Sequence, residues 1–433
     1  MNYQAPRGTR DILPQECRKW HFLEEKAREV SRKYGYGEIR LPLFEHTEVF
    51  ARSVGEDTDI VSKEMYSFKD RGERYLTLRP EGTASVVRAY LENHLNSEPK
   101  PVKLYYYGPM FRYDRPQSGR YRQFYQYGVE CFGSSHPASD VEVIMLALDF
   151  FNMLGLTGVK LYINSVGCRE CRPGYRQKIK EDLSAREQEL CPDCRRRLAS
   201  NPLRVMDCKQ EKCRELTQDI PLVTNYLCQG CRDHFDQVRE ILDAQGVDME
   251  INPRLVRGLD YYTRTAFEFV AESLGAQDSI GGGGRYDNLV EYMGGPSVPA
   301  VGLALGIERI LLSLPQEQLT LPEDLMPKIL VAISNQEALK QGFLVAQLCR
   351  EAGGMAEVEI TGRSLKAQMK FANRKNFDYV AIIGEEEHKT GTVALKNMVS
   401  GEQYSMSYPE LKQEISKQVP LQSKQVPLQR KEE

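Results

Sequence analysis

The chain has 433 residues, 41% hydrophobic and 27% charged, with a formal net charge of −3. That length supports two or three domains with ample core, and no apolar run is long enough to span a bilayer. The near balance of charge excludes binding to nucleic acid through bulk basicity, so any such contact must use local patches.

The first 14 residues lack the apolar core of a signal peptide, so the expected location is the cytoplasm. Arg7-Gly8-Thr9-Arg10-Asp11 is a turn-rich lead-in. A helix follows with Trp20, Leu23, Ala27 and Val30 on one stripe, and Gly35 and Gly37 end it. Residues 38–43 read as a strand closed by a proline. Two short strands, 65–68 and 75–78, flank a turn at Asp70-Arg71-Gly72. Arg79-Pro80-Glu81-Gly82-Thr83 then forms a tight loop before a helix. Glu81 there suits an ammonium group. The alternative is a helix N-cap in which Thr83 caps and Glu81 is solvated.

Residues 104–133 form a long antiparallel hairpin. Tyr105-Tyr106-Tyr107 suits the first strand, and the second starts near Arg122. Alternation puts Arg122, Phe124, Gln126, Gly128 and Glu130 on one face and Tyr125, Tyr127, Val129 and Cys131 on the other. The first row is a poor core face and a good ligand face. Arg112, Arg115 and Arg120 at the tip suit phosphate. A solvated strand face with a charged turn is the plainer reading.

A helix over 138–154 and a strand over 159–164 precede a cysteine-rich stretch. Eight of the 11 cysteines lie there: Cys168 and Cys171, Cys191 and Cys194, Cys208 and Cys213, Cys228 and Cys231. Three of these pairs are CxxC knuckles, each able to give two thiolates to a tetrahedral zinc ion. Together they furnish up to two four-cysteine sites. Free thiols in an inserted module are the alternative. His234 is a further possible ligand, or a surface histidine on a helix. Segments 177–190 and 234–245 look helical.

From residue 249 a second pattern begins. Arg257 sits in an apolar run and needs an anion, either a structural carboxylate such as Asp260 or a phosphate. Gly281 to Gly284 do not suit a normal strand interior and are expected to floor a pocket. Residues 300–312 read as a small-residue strand and a helix bearing Glu308 and Arg309. A polar linker over 315–327 leads to strands over 328–333, 355–360 and 379–384, with helices over 337–350 and 365–373. That alternation predicts a mainly parallel sheet. The repeat SKQVPLQ, at Ser416 and again at Ser423, should be disordered.

Four stretches together resemble the class II aminoacyl-tRNA synthetases, specifically the histidyl-tRNA synthetase family. Residues 104–133 resemble motif 2, and Gly302-Leu303-Ala304-Leu305-Gly306-Ile307-Glu308-Arg309 resembles motif 3. Leu255-Val256-Arg257-Gly258-Leu259-Asp260-Tyr261-Tyr262 and Ser279-Ile280-Gly281-Gly282-Gly283-Gly284-Arg285-Tyr286-Asp287 resemble the two histidine-specific signatures. The resemblance implies an α/β and α+β multidomain chain. An antiparallel-sheet catalytic domain spans 1–325, with a cysteine-rich insertion at about 165–248. An α/β anticodon-binding domain spans 326–415, and a disordered tail 416–433. It further implies a homodimer built through the first helix and strand, and an insertion that packs over the acceptor arm of tRNA.

The activity so implied is ATP-dependent ligation of L-histidine to tRNA(His) through histidyl-adenylate, with Mg2+ bridging ATP phosphates. By the same resemblance Arg112 and Arg257 act on the α-phosphate, Arg120 reaches the phosphates, and Phe124 and Arg309 sandwich adenine. Glu81, Thr83 and Gln126 take the polar head of histidine. Glu130 and Tyr262 contact its imidazole, with Tyr261 alongside. Tyr113-Asp114 departs from the family's common His-Glu but keeps the carboxylate. All of this chemistry lies outside the cysteine-rich stretch. Loss of zinc there is therefore expected to weaken tRNA charging and spare adenylate formation. The competing reading is a synthetase-like regulatory subunit of ATP phosphoribosyltransferase, which keeps the fold but lacks the anticodon domain. A zinc-dependent nucleic-acid binder would leave everything but the cysteines unexplained.

Overall fold

Tyr127 shows how the central hairpin is seated. Its hydroxyl lies 2.7 Å from Ser31 Oγ, and its ring packs 5.1 Å from Phe150. Trp20 meets Tyr125 edge-on at 4.9 Å. One face of the second hairpin strand is therefore covered by helices Pro14–Lys33 and Pro137–Met153. The opposite face, with Phe124 and Gln126, is left to a cavity. The computed structural model describes residues 3–55, 58–272, 274, 279–314 and 326–419. The chain divides into two compact units, Met1–Pro315 and Gln316–Glu433.

In chain order the strands of the first unit are β1 (Gly37–Glu38), β2 (Phe44–His46), β3 (Tyr66–Lys69), β4 (Tyr75–Leu78), β5 (Val102–Phe111), β6 (Gln123–Phe132), β7 (Val159–Ser165), β8 (Met249–Ile251), β9 (Thr263–Ala271), β10 (Ser279–Arg285) and β11 (Ala300–Gly306). Among the described residues, eight of them form one sheet in the order β1-β5-β6-β11-β10-β9-β7-β8. The six inner strands are antiparallel, and β1 and β8 add to the edges in parallel.

Two strand expectations need correction. The strand expected over 38–43 is only Gly37–Glu38 plus one bond from Ile39 N to Tyr105 O. Pro42 has no N–H to donate, and the Arg79 guanidinium takes the carbonyls of Leu41 and Pro42 at 3.0 and 3.3 Å. The chain therefore leaves the sheet and re-forms as β2 in a separate sheet, β2-β4-β3. The glycine run, expected not to be a strand interior, is the middle of β10, paired on both sides. A Cβ at Gly283 would stand 2.7 Å from Leu303 Cα, and one at Gly281 2.7 Å from Ala304 O. Neighbouring backbones thus occupy the space that side chains would need.

The insertion lies between β7 and β8. Among its helices Arg172–Ser184, Pro192–Ser200, Glu211–Leu216 and Gln229–Ala244, the first three enclose a core of their own around Tyr175, Ile179, Leu183, Leu198 and Val205, while Gln229–Ala244 packs on helix Pro137–Met153. The first and last of these begin several residues before the expected 177 and 234.

The second unit holds β12 (Lys328–Ile333), β13 (Met355–Val358), β14 (Tyr379–Ile383), β15 (Thr392–Asn397) and β16 (Gln403–Ser407), ordered β13-β12-β14-β15-β16. The first three are parallel as expected. β15 and β16 form an antiparallel extension that the alternation did not announce. Helix Tyr408–Gln418 runs through Ser416, where disorder was expected. It is held by the Ser407–Glu410 capping box and by buried Leu411 and Ile415. The second repeat and most of the expected linker lie outside the described residues.

Candidate active site

The inner face of β6 and its neighbours enclose a cavity of about 360 Å³, in the range of small-ligand sites. Four guanidinium groups converge on it, those of Arg112, Arg120, Arg257 and Arg309. Arg112, at the end of β5, donates from Nε to Pro80 O at 2.8 Å and stands 5.3 Å from the Phe124 ring centroid. Among the described residues it has no ion-pair partner, and burial holds its pKa below the ordinary guanidinium value despite Glu64 and Glu81 nearby. A cation so placed favours an anionic ligand. Arg120 pairs with Asp114 in the hairpin loop. Arg309, on helix Ile307–Ser313, donates to Ser279 O at 2.5 Å. Arg115 is exposed and outside the cavity walls. Gln126 presents a buried Oε1 with no protein partner among the described residues.

Glu81 is neither solvated nor a bystander. Its carboxylate accepts from Thr83 N at 2.7 Å and Ala84 N at 2.8 Å, so Glu81 itself caps helix Thr83–Glu92. It is buried and still borders the cavity. Thr83 turns its hydroxyl to Glu130 Oε1 at 2.7 Å, and Tyr286 donates to the other oxygen. Glu130 is thus fully buried, with both carboxylate oxygens engaged by these two hydroxyls. Burial pushes its pKa up to about 8, although the Tyr286 and Thr83 hydroxyls favour the charge. A Cβ at Gly302 would collide with this carboxylate.

Arg257 lies in the loop before β9, and its partner is not Asp260. Nη1 donates to Glu268 Oε1 at 2.8 Å, and Ser279 donates to the same oxygen at 2.8 Å. Its Nε is buried with no partner among the described residues. Asp260 instead accepts from Asn201 Nδ2 of the insertion at 2.5 Å. Tyr261 and Tyr262 are buried against the cavity, ring centroids 4.7 Å apart. Sequence reasoning missed Glu268, Tyr286 and the work of Glu308. Both oxygens of Glu308 accept from Tyr125 N at 3.0 Å, and burial pushes its pKa up to about 7. For Tyr286 a signal existed: it directly follows the glycine run and Arg285.

The eight insertion cysteines are all free and gather into two sets. Cys168, Cys171, Cys228 and Cys231 form one, and Cys191, Cys194, Cys208 and Cys213 the other. Within each set the sulfurs lie within 4.8 Å of one another. The pairing is nested, first knuckle with last and second with the wider pair. His234 belongs to neither set. It is buried, with Nε2 3.3 Å from Asp140 Oδ1 and Nδ1 3.4 Å from the Arg264 guanidinium.

Comparison with known proteins agrees with this geometry. The family model described as histidyl-tRNA synthetase matches residues 8–310, and the anticodon binding domain model matches 328–418. The chain belongs to the histidyl-tRNA synthetase family. It is 56% identical to a histidine–tRNA ligase of Desulforamulus reducens over 94% of this chain and 97% of that one. It is 53% identical to that of Natranaerobius thermophilus over 95% and 98%. The apo histidyl-tRNA synthetase structure from S. aureus superposes with a TM-score of 0.80 at 36% identity, covering 96% and 100%. A Bacillus halodurans structure titled as an ATP phosphoribosyltransferase regulatory subunit/histidyl-tRNA synthetase shares the fold, at TM-score 0.65 and 20% identity over 89% and 99%. The large antiparallel sheet and the separate second unit are the family's two parts, and no described helix is long and apolar enough to cross a membrane.

Proposed function

We propose that this chain ligates L-histidine to tRNA(His) in two steps, with ATP as the activating substrate. The histidine carboxylate attacks the α-phosphate and releases pyrophosphate. The terminal ribose hydroxyl of tRNA then takes the acyl group from the adenylate. Such transfers need positioning and charge stabilisation rather than a protein nucleophile. The observation that carries the reading is the convergence of four guanidinium groups on one cavity, beside the unpartnered Gln126 Oε1 and the Glu81 cap.

Arg112 and Arg257 serve the α-phosphate from two sides. Arg120 serves the outer phosphates, and Phe124 and Arg309 flank adenine. Glu81, Thr83 and Gln126 receive the ammonium and carboxylate of histidine. Tyr262, with Tyr261 alongside, meets the imidazole. Glu130 acts on the ring from behind, through the hydroxyls of Thr83 and Tyr286 that it fixes. Glu268 and Glu308 border the cavity and offer oxygen ligands of the kind Mg2+ shares with phosphates, whose charge it would neutralise. The two cysteine sets hold zinc. The active form is a cytoplasmic homodimer, and the second unit reads the anticodon.

Histidine-dependent ATP–pyrophosphate exchange tests the core of this reading. Exchange that needs histidine, and no other amino acid, is the expected result. A protein with no exchange that instead stimulates an ATP phosphoribosyltransferase would overturn it in favour of the regulatory subunit.

A further inference from the structure

The cysteine set formed by Cys191, Cys194, Cys208 and Cys213 brackets a segment that touches the activation site. A tetrahedral zinc ion with bonds of about 2.3 Å holds its four sulfurs roughly 3.8 Å apart. Cys191 and Cys208 sulfurs are 4.0 Å apart. Backbone N–H groups of Cys191 and Cys194 point at the sulfurs of Cys213 and Cys191, at 3.3 and 3.4 Å. Such N–H donors stabilise thiolates. With this set bound, the chain from Cys194 to Cys208 becomes a closed loop.

That loop is turned toward the first histidine signature. Asn201 donates to Asp260 at 2.5 Å, and Arg204 donates to Gly258 O at 2.8 Å. Arg197 anchors the same segment on Asp59 at 2.6 Å. Gly258 directly follows Arg257 in the chain, and Asp260 directly precedes Tyr261. The loop therefore grips the backbone between a guanidinium assigned to the α-phosphate and a tyrosine assigned to the histidine pocket.

We infer that zinc in this inner site is a positioning element for Arg257, so that its loss lowers histidine activation itself. This rests on the zinc reading above. It reverses the expectation that the insertion is separable from adenylate formation. The argument is geometric: the ligands close the loop, the loop holds residues 258–260, and those residues fix where Arg257 starts. A displacement of about 1 Å at a phosphate-binding cation costs on the order of 10²-fold in rate.

The test uses the full-length protein prepared without added metal. Elemental analysis should find two zinc ions per chain, falling to one in Cys208→Ser. Histidine-dependent exchange in that variant should drop about 10²-fold in kcat, with tRNA charging falling in parallel. The double variant Asn201→Ala, Arg204→Ala should keep both ions and its Tm within a few degrees, yet lose kcat with a small change in the KM for histidine. Two ions in the wild type, one in Cys208→Ser and unchanged exchange would overturn the inference while leaving zinc in place. Absence of metal from the wild type would overturn both. Where Cys208→Ser fails to fold, the double variant decides alone, and normal kcat in it with both ions retained is a negative result.

Discussion

Arg257, half-buried, and Glu130, fully buried, are ionisable groups near one cavity, and their surroundings assign them opposite tasks. Arg257 is held by Glu268, which offsets the burial cost of its cation, and one of its N–H groups is left without a protein partner among the described residues. Arg257→Ala should cut pyrophosphate exchange about 10²–10³-fold, the usual loss for one oriented charge at a transition state. Near-normal exchange in that variant would remove it from the mechanism. Glu130 has no cation against it, and its folded pKa of about 8 lies above the ordinary carboxylate value. The neutral form is favoured by folding, so its stabilising contribution is full below the unfolded pKa and is lost as pH rises through about 8. Glu130→Gln should therefore flatten the fall in Tm between pH 5 and pH 9 relative to the wild type. Parallel Tm curves for the two proteins would show that Glu130 is charged when folded. At this scale residue type was legible, and partners were not. Glu81 could be read as a cap or a ligand, but its bonds to Thr83 N and Ala84 N depend on how the loop turns. Arg257 took Glu268, eleven residues on in β9, while the Asp260 carboxylate is engaged by Asn201.

The hairpin shows which elements a sequence announces. Strict alternation from Arg122 to Glu130 marked β6 and both its faces, because side chains on a strand change sides at every residue. Gly128 belongs to that alternation, and the structure explains it. The Tyr106 ring lies between Gly82 and Gly128, and a Cβ at Gly128 would meet its Cε1 at 2.7 Å. Gly128→Ala should destabilise the protein by about 1–3 kcal/mol through overpacking, and pairing it with Tyr106→Leu should restore part of that. Denaturant unfolding of the two variants checks it, and an undisturbed Gly128→Ala protein would refute the packing argument. Elements set by distant partners were illegible. The chain leaves the sheet soon after β1, where Pro42 offers no N–H and Arg79 takes the carbonyls of Leu41 and Pro42, and β10 tolerates four glycines because both neighbours press on it. Cysteine spacing allowed up to two four-cysteine sets but not their nested pairing, which is a property of the folded insertion.

The small sheet β2-β4-β3 bears on the whole molecule, because it leaves aromatic side chains exposed. Phe44 and Tyr66 both pair with Leu78, and Phe68 pairs with Leu76, so these side chains share one face. Phe44 is 52% exposed and Phe68 44%. On the other face Glu45 and Thr77 are buried, while Ser67, Lys69 and Tyr75 are exposed. Glu45 is held there by the Arg88 guanidinium at 2.5 Å, and Thr77 lies 2.8 Å from the Thr47 hydroxyl and 2.7 Å from that of Ser67. A sheet that buries Glu45 and Thr77 and leaves Phe44 and Phe68 in water presents an exposed apolar patch, and such patches mark interfaces. The homodimer proposed above would cover this patch with a second copy of the chain, since β2 continues directly from the first helix and strand expected to build the dimer. The wild type should therefore sediment at twice the chain mass. Phe44→Asp combined with Phe68→Asp should shift it to the single-chain mass and lower exchange. Val399→Asp, at a position 90% exposed in the second unit, should change neither. A double variant that remains a dimer, or a wild type that sediments as one chain, would locate the interface elsewhere or remove it.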